Sequence, residues 1–356
     1  MNIAPRSRPH VVIALLFVFH SCLPVRALET QPVPPTREAF LKLIDRPRVD
    51  PKPDLGEPED DGELKTIRFS FLSEENERVP GIVIHPSHPN TGKLPCVIVL
   101  HGTGGSKEGE ILFMKAIAKR GCAAIAIDGR YHGERVKNLP GKDHYNQAIL
   151  SKFKGESKGY PLYWDTVWDL MRLIDIVNAR DDLDSDRIGV IGFSKGGIET
   201  YFLAAADPRV SVAVPCIGVQ SFQWGLENDG WHGRVNTVKN AFEGAAKAAG
   251  VEKPDAAFAR TFFDKVVPGI YDKFDGPEML PLIAPRPLLI INGDKDPNTP
   301  LPGVMLAAEK AKAAYAKAGA EDKFKQIVEK DTPHKVNPDA LKEASDFLAK
   351  HLNFAE

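Results

Sequence analysis

Apolar and polar residues alternate from Thr66 to Phe71, as Thr-Ile-Arg-Phe-Ser-Phe, which predicts a strand with one face buried. Val79 to Ile84 predicts a second strand beyond the polar turn at Glu74 to Glu77, so the two read as an antiparallel pair at a sheet edge. The pattern then changes. Cys96 to Leu100, Ala123 to Ile127, Ile188 to Ile191, Val210 to Val214 and Leu288 to Ile291 are nearly unbroken apolar runs, and Phe324 to Val328 reads as a last strand. Strands of this kind are buried on both faces, as parallel strands beneath helices must be. Helical spacing fills most of the intervals, at Glu110 to Lys119, Tyr163 to Asn178, Gly197 to Ala206 and Met305 to Lys317, and Pro338 to His351 predicts a final helix. In the second of these, Val167, Leu170, Met171, Ile174 and Val177 form an apolar stripe. Alternating strands and helices predict an α/β, doubly wound sheet.

Two regions break the alternation. Residues 28–63 carry Pro32, Pro34, Pro35, Pro47, Pro51, Pro53 and Pro58, and read as a Pro-rich arm lying on the domain or partly disordered, with one short helix from Thr36 to Ile44. Residues 218–280 are far longer than a crossover requires. They hold Phe222, Trp224, Trp231, His232, Phe242, Phe258, Phe262, Phe263 and Tyr271, with helices expected at Arg234 to Ala249 and Asp255 to Val266. Their place, after the strand beside Ile188 to Ile191, points to a helical cap with aromatic side chains over a pocket.

The chain ahead of the arm reads as a leader. Arg6 and Arg8 precede the apolar run Val11 to Phe19, and Val25-Arg26-Ala27 offers a cleavage site after Ala27. The run is short for a membrane span. This gives residues 1–27 as a signal peptide, a secreted or periplasmic protein, and no stable membrane insertion after cleavage. Three cysteines then remain, Cys96, Cys122 and Cys216, each in or beside a core strand; they read as small apolar core residues rather than a disulfide framework. A formal net charge of −2 over 356 residues, without a long basic run, gives no support for nucleic-acid binding.

The candidate chemistry begins where an apolar run ends in Gly192-Phe193-Ser194-Lys195-Gly196 and a helix-compatible segment follows. This is the sequence form of a nucleophile elbow, with glycines where side chains would collide and a helix N-terminus facing the serine. A serine nucleophile needs a base and an acid to orient that base. In the order Ser, Asp, His, the acid lies in Gly293-Asp294-Lys295-Asp296-Pro297, where Asp294 and Asp296 compete. Asp296 is preferred, and Asp294 is expected to bond the loop backbone. The base is His334, on a loop between the last strand and the last helix. The His101-Gly102-Thr103-Gly104-Gly105 loop offers backbone N–H groups, so Thr103 and Lys195 are assigned as oxyanion donors. Gly102-x-Gly104 does not continue as a dinucleotide or phosphate loop. No metal site or other cofactor is implied.

These residues, together with Asp128-Gly129-Arg130-Tyr131-His132-Gly133-Glu134 and Asp186-Arg187-Ile188-Gly189, make the chain from Lys65 to Leu352 resemble an α/β-hydrolase of the dienelactone-hydrolase-like and acetyl-xylan-esterase-like branches, with some likeness to prolyl oligopeptidases. The resemblance implies an eight-stranded, mostly parallel sheet with helices on both faces, residues 64–356 forming the hydrolase domain, and Ser194, His334 and Asp296 at its C-terminal edge. Dienelactone hydrolases proper carry a cysteine nucleophile, so Ser194 points toward ester hydrolysis. The resulting expectation is an exported serine hydrolase cleaving small-molecule or carbohydrate esters. A prolyl-oligopeptidase-like peptidase and a non-catalytic binding protein are the alternatives, the first weakened by an N-terminal arm too short for a propeller. For Asp128 to Arg135 two readings stand: a loop held by Asp128 or Glu134 with Arg130 or Arg135, or Tyr131 and His132 shaping the pocket floor. Trp224, Trp231 and His232 are the cap residues expected to meet substrate.

Overall fold

The computed structural model describes residues 34–89, 92–136 and 141–355. The leader predicted at residues 1–27 lies outside them.

The chain enters through α1 (Pro35–Ile44) and two short strands, β1 (Asp54–Leu55) and β2 (Glu59–Asp60). The arm is therefore partly built into the fold. Phe40 and Ile44 of α1 are buried in the core, and Phe40 packs edge-on against the ring of Trp164 at 5.6 Å. β3 (Leu64–Glu74) and β4 (Glu77–Pro86) form the expected antiparallel pair. The parallel strands and their helices follow: β5 (Leu94–Leu100), α2 (Ile111–Ala118), β6 (Ala123–Ile127), α3 (Gly141–Lys154), α4 (Trp164–Ala179), β7 (Leu183–Phe193), α5 (Lys195–Ala206) and β8 (Val210–Cys216). Five further helices come next: α6 (Phe222–Glu227), α7 (His232–Thr237), α8 (Lys239–Ala248), α9 (Ala256–Val266) and α10 (Gly276–Met279). The chain closes with β9 (Leu288–Gly293), α11 (Leu301–Lys317), β10 (Phe324–Glu329) and α12 (Pro338–Leu352).

The strands form one sheet in the order β1-β3-β4-β6-β5-β7-β8-β9-β10, with β2 also paired to β3. All pairings from β6 through β10 are parallel. The described residues thus give ten strands where eight were expected. The two extra strands are two residues each and exposed, too short to carry a period that a sequence pattern could reveal. On β5, Cys96, Ile98 and Leu100 face one core with α4 and α5, while Val97 and Val99 face another with α2 and α12. Helices therefore cover both faces of the sheet, and the strand C-termini open onto one edge. Cys96, Cys122 and Cys216 are free thiols, all buried.

The segment between β8 and β9 is helical, and one carboxylate fastens its two ends. Asp275, just before α10, accepts from Ser221 Oγ (2.6 Å) and the Phe222 amide (2.7 Å) at the entry to α6, and from the Gly276 amide (2.7 Å) at the exit. Its aromatic residues pack on one another and on α3: Phe153 lies 6.0 Å from Phe258 and 5.8 Å from Phe262, and Phe242 lies 5.3 Å from both.

Candidate active site

β7 runs straight into α5, and Ser194 sits at the joint with φ +56° and ψ −112°. A serine held there costs about 1–3 kcal/mol and persists only because its surroundings fix it. They do so on both sides. The Ser194 amide donates to the Cys216 carbonyl (3.0 Å), and its own carbonyl accepts from the Ile198 amide (3.0 Å). Gly196 is pressed against the Leu100 carbonyl, so any side chain there would collide with β5 backbone. The turn is tight because three strands and a helix meet at it, which is why this position reads as glycine.

The loops after β9 and β10 bring two more groups to Ser194. His334 Nε2 lies 2.8 Å from Ser194 Oγ, and His334 Nδ1 lies 2.6 Å from Asp296 Oδ2. Asp296 also accepts from Thr299 Oγ1 (2.6 Å) and the Asn298 amide (2.8 Å). Burial works against the Asp296 charge, but the hydrogen bonds from His334, Thr299 and Asn298 outweigh it and hold the carboxyl below its ordinary value. An ionised carboxylate on Nδ1 leaves Nε2 free to accept a proton from the serine. The competing Asp294 does different work: its Oδ1 accepts the Thr332 amide (3.2 Å), tying the Asp296 loop to the His334 loop.

Ser194 and His334 open onto a pocket of about 390 Å³ lined also by Gly102, Thr103, Ile217, Asn236, Thr237 and Asn298. Thr103 follows β5 at the mouth, and among the described residues its amide has no hydrogen-bond partner. Lys195 is the first residue of α5, so its N–H has no intrahelical acceptor. The Lys195 side chain is buried and paired with Glu199 (2.7 Å), away from solvent.

Behind this loop His101 acts as a clip. Its Nδ1 lies 2.8 Å from the Gly102 carbonyl, and its Nε2 accepts the Gly129 amide (3.0 Å). That pattern requires a neutral ring, and burial, with the nearby Lys195 charge, lowers His101 to about 3. The segment from Asp128 to Arg135 is likewise a brace. Asp128 accepts from Lys107 Nζ (2.8 Å), the Lys107 amide (2.9 Å) and the Glu134 amide (2.9 Å), while Glu134 Oε1 takes a second bond from Lys107 (2.6 Å). Arg130 and Arg135 turn instead to Asp169 of α4, at 2.8 and 2.6 Å. The expected internal pairing of Asp128 or Glu134 with Arg130 or Arg135 is thus replaced by pairing across loops, because Lys107 and Asp169 reach the segment first.

Tyr131 and His132 do not line the pocket. His132 is buried against Tyr145 (ring centroids 4.6 Å), with Nδ1 on the Arg130 carbonyl (2.7 Å). The cap tryptophans are also placed differently from expectation. Trp231 is buried in the cap's core beside Phe242, and Trp224 lies against Gly303 of α11. His232 is exposed and pairs with Asp229 (3.3 Å). An insertion this long needs an apolar core of its own, and its aromatic residues supply it. The cap meets the pocket through two residues that composition did not single out, Asn236 and Thr237. They are carried there by α7, whose Gly233 packs directly on the Pro297 carbonyl beside Asp296.

The sheet, the strand-to-helix serine and the loops at the strand C-termini define an α/β-hydrolase. The family model for acetyl xylan esterase (AXE1) matches residues 41–221, and the chain belongs to that family of carboxylic ester hydrolases. The match includes Ser194, Lys195 and Thr103 and ends before Asp296 and His334. Among relatives, the Bacillus subtilis (strain 168) protein YtaP, named as a hydrolase, is 26% identical over 291 residues, 78% of this chain and 85% of its own. The 2,6-dihydropseudooxynicotine hydrolase of Paenarthrobacter nicotinovorans is 26% identical over 170 residues, 46% of this chain and 40% of its own. The acetyl xylan esterase from Paenibacillus sp. R4 shares the fold at a TM-score of 0.65 and 20% identity, over 88% of this chain and 93% of that one.

Proposed function

We propose that the protein is an exported esterase that removes small acyl groups from carbohydrate or other small alcohols, with Ser194 as nucleophile, His334 as general base and acid, and Asp296 as the group that orients it. The observation that carries this reading is the hydrogen-bonded line Ser194–His334–Asp296 at the floor of an open pocket. Ser194 Oγ attacks the ester carbonyl carbon as its proton passes to His334 Nε2. The carbonyl oxygen becomes an oxyanion, received by the Thr103 and Lys195 amides. Collapse breaks the bond to the leaving oxygen, which takes the proton from His334 and departs as the alcohol. Water, deprotonated by His334, then attacks the acyl-serine, and the second collapse returns the serine hydroxyl and releases the carboxylic acid.

The family match and the acetyl xylan esterases among the structural relatives support an acylated carbohydrate as substrate. So does the pocket, whose rim from the cap and the Asp296 loop is made of Asn236, Thr237 and Asn298. The test is release of acetate from p-nitrophenyl acetate and from acetylated xylan by the wild type and Ser194→Ala. Activity on both substrates that disappears in the variant is expected; equal rates in the two proteins sink the assignment. Labelling of Ser194 by a fluorophosphonate probe separates an active hydrolase from a hydrolase-fold binding protein. Export rests on residues 1–27. Protein recovered outside the cytoplasm is expected to begin at Leu28, and an exported chain still starting at Met1 overturns the cleavage site.

A further inference from the structure

Ile217 stands out at the pocket wall. β8 ends at Cys216, whose carbonyl holds the Ser194 amide, and the next amide, that of Ile217, donates to the Ile291 carbonyl of β9 at 2.7 Å. Between these fixed points Ile217 takes φ +46°, in the left-handed region. A β-branched residue is the type least suited to that region, so its presence there is a genuine outlier. The next residue leaves no freedom to relax: Gly218 lies so close to the backbone of Gly197, Ile198 and Ser194 that no side chain fits. Backbone outliers held by their surroundings concentrate at functional sites.

The twist at Ile217 falls where this residue meets the pocket. Ile217 lines the pocket with Ser194 and His334; its side chain is 6% exposed and otherwise lies in the core with Cys216 and Ile291. The other lining residues are Gly102, Thr103, Asn236, Thr237 and Asn298, so among the described residues Ile217 supplies the pocket's one large apolar wall. An ester brings one apolar end, the acyl chain, and, for a carbohydrate, one hydroxyl-rich end. Matching each end to the surface that desolvates it at least cost puts the acyl chain on Ile217 and the alcohol on the polar rim. The side chain branches at Cβ and its backbone is pinned, so it cannot swing aside for a longer chain.

We infer that Ile217 is a specificity-determining residue, a rigid stop that limits the acyl group to acetyl or propionyl. This rests on the esterase reading above. The experiment measures kcat/KM for p-nitrophenyl acetate, butyrate and octanoate with the wild type, Ile217→Ala, Ile217→Gly and Ser194→Ala. The butyrate-to-acetate ratio is expected to rise by about tenfold or more in Ile217→Ala, in line with the discrimination that a methylene or two gives in an apolar pocket. Ile217→Gly removes the same wall and also suits the positive φ, so it is expected to show the same shift and to melt at a higher temperature than Ile217→Ala. It serves as the folded test if the alanine variant does not fold. A ratio unchanged in a folded variant whose activity still needs Ser194 overturns the role of Ile217 alone. Wild-type rates equal to those of Ser194→Ala overturn the esterase reading and this one with it.

Discussion

Ser194 stands where β7 meets α5, and Asp296 and His334 on the loops that leave β9 and β10 of the same sheet, while Asn236 and Thr237 hang from a single short helix of the insertion. The first set is fixed by backbone that cannot move independently: Ser194 by β7 and β8, Asp296 and His334 by loops tied to each other through Asp294 and Thr332. The second set is fixed by packing, through Gly233 on the Pro297 carbonyl and the aromatic core beneath. Reaction chemistry needs sub-ångström placement, which a sheet edge supplies. Recognition tolerates more variation, and a packed insertion can change without disturbing the sheet.

That contrast breaks first at the sheet edge. Ser194→Ala and Asp296→Asn are expected to lower kcat for p-nitrophenyl acetate by about 10⁴-fold or more, with folding intact by circular dichroism. A loss within tenfold for either would remove that residue from the chemistry. The next largest effect is on the brace behind the His101–Gly105 loop. Asp128→Ala removes one of three carboxylates around the buried Lys107 ammonium and leaves the Lys107 and Glu134 amides without their acceptor, so it is expected to cost about 1–3 kcal/mol of stability, read by urea denaturation. A cost below about 1 kcal/mol would show that solvent reaches Lys107 freely.

Changes on the cap side should be smaller and selective. Asn236→Ala and Thr237→Ala are each expected to raise KM for acetylated xylan by about 3–10-fold while moving p-nitrophenyl acetate less, as for the loss of one hydrogen bond. Equal effects on both substrates would place these residues in the chemistry instead. The last effect is on pH. Burial lowers His101 to about 3 and His132 to about 2, so both stay neutral in the folded chain while the unfolded chain takes up protons below about 6.5. Their contribution is complete above that value and is lost as the pH falls toward 3. The melting temperature should therefore fall between pH 7 and pH 5, and less steeply in His132→Gln. An identical slope in that variant would remove His132 from the effect.

The contrast also explains what the sequence disclosed. Ser194 was legible because a tight strand-to-helix turn permits few residues, and Asp296 and His334 because strand ends are visible as the ends of apolar runs. The cap was legible as a length anomaly and not as a surface. Trp224 and Trp231 drew attention as aromatic residues, yet the insertion uses its aromatic side chains to stay folded. Asn236 and Thr237 have no local pattern to mark them; their position depends on how α7 meets the Asp296 loop. α3 is a different case. Tyr145, Ile149 and Phe153 recur every four residues and are all buried, so its helical signal was present in a stretch with few other landmarks. Ile217 left one usable sign, its place directly after an apolar strand and before the insertion.

The three thiols carry a practical consequence. Cys96 lies in β5, Cys122 just before β6 and Cys216 at the end of β8, and burial pushes all three thiols well above their ordinary range, Cys122 to about 12. A thiol reagent can reach them only when the sheet opens. Each cysteine is thus a reporter of how often its own strand comes loose, and the Cys216 labelling rate reads the opening of the strand end that holds the Ser194 amide.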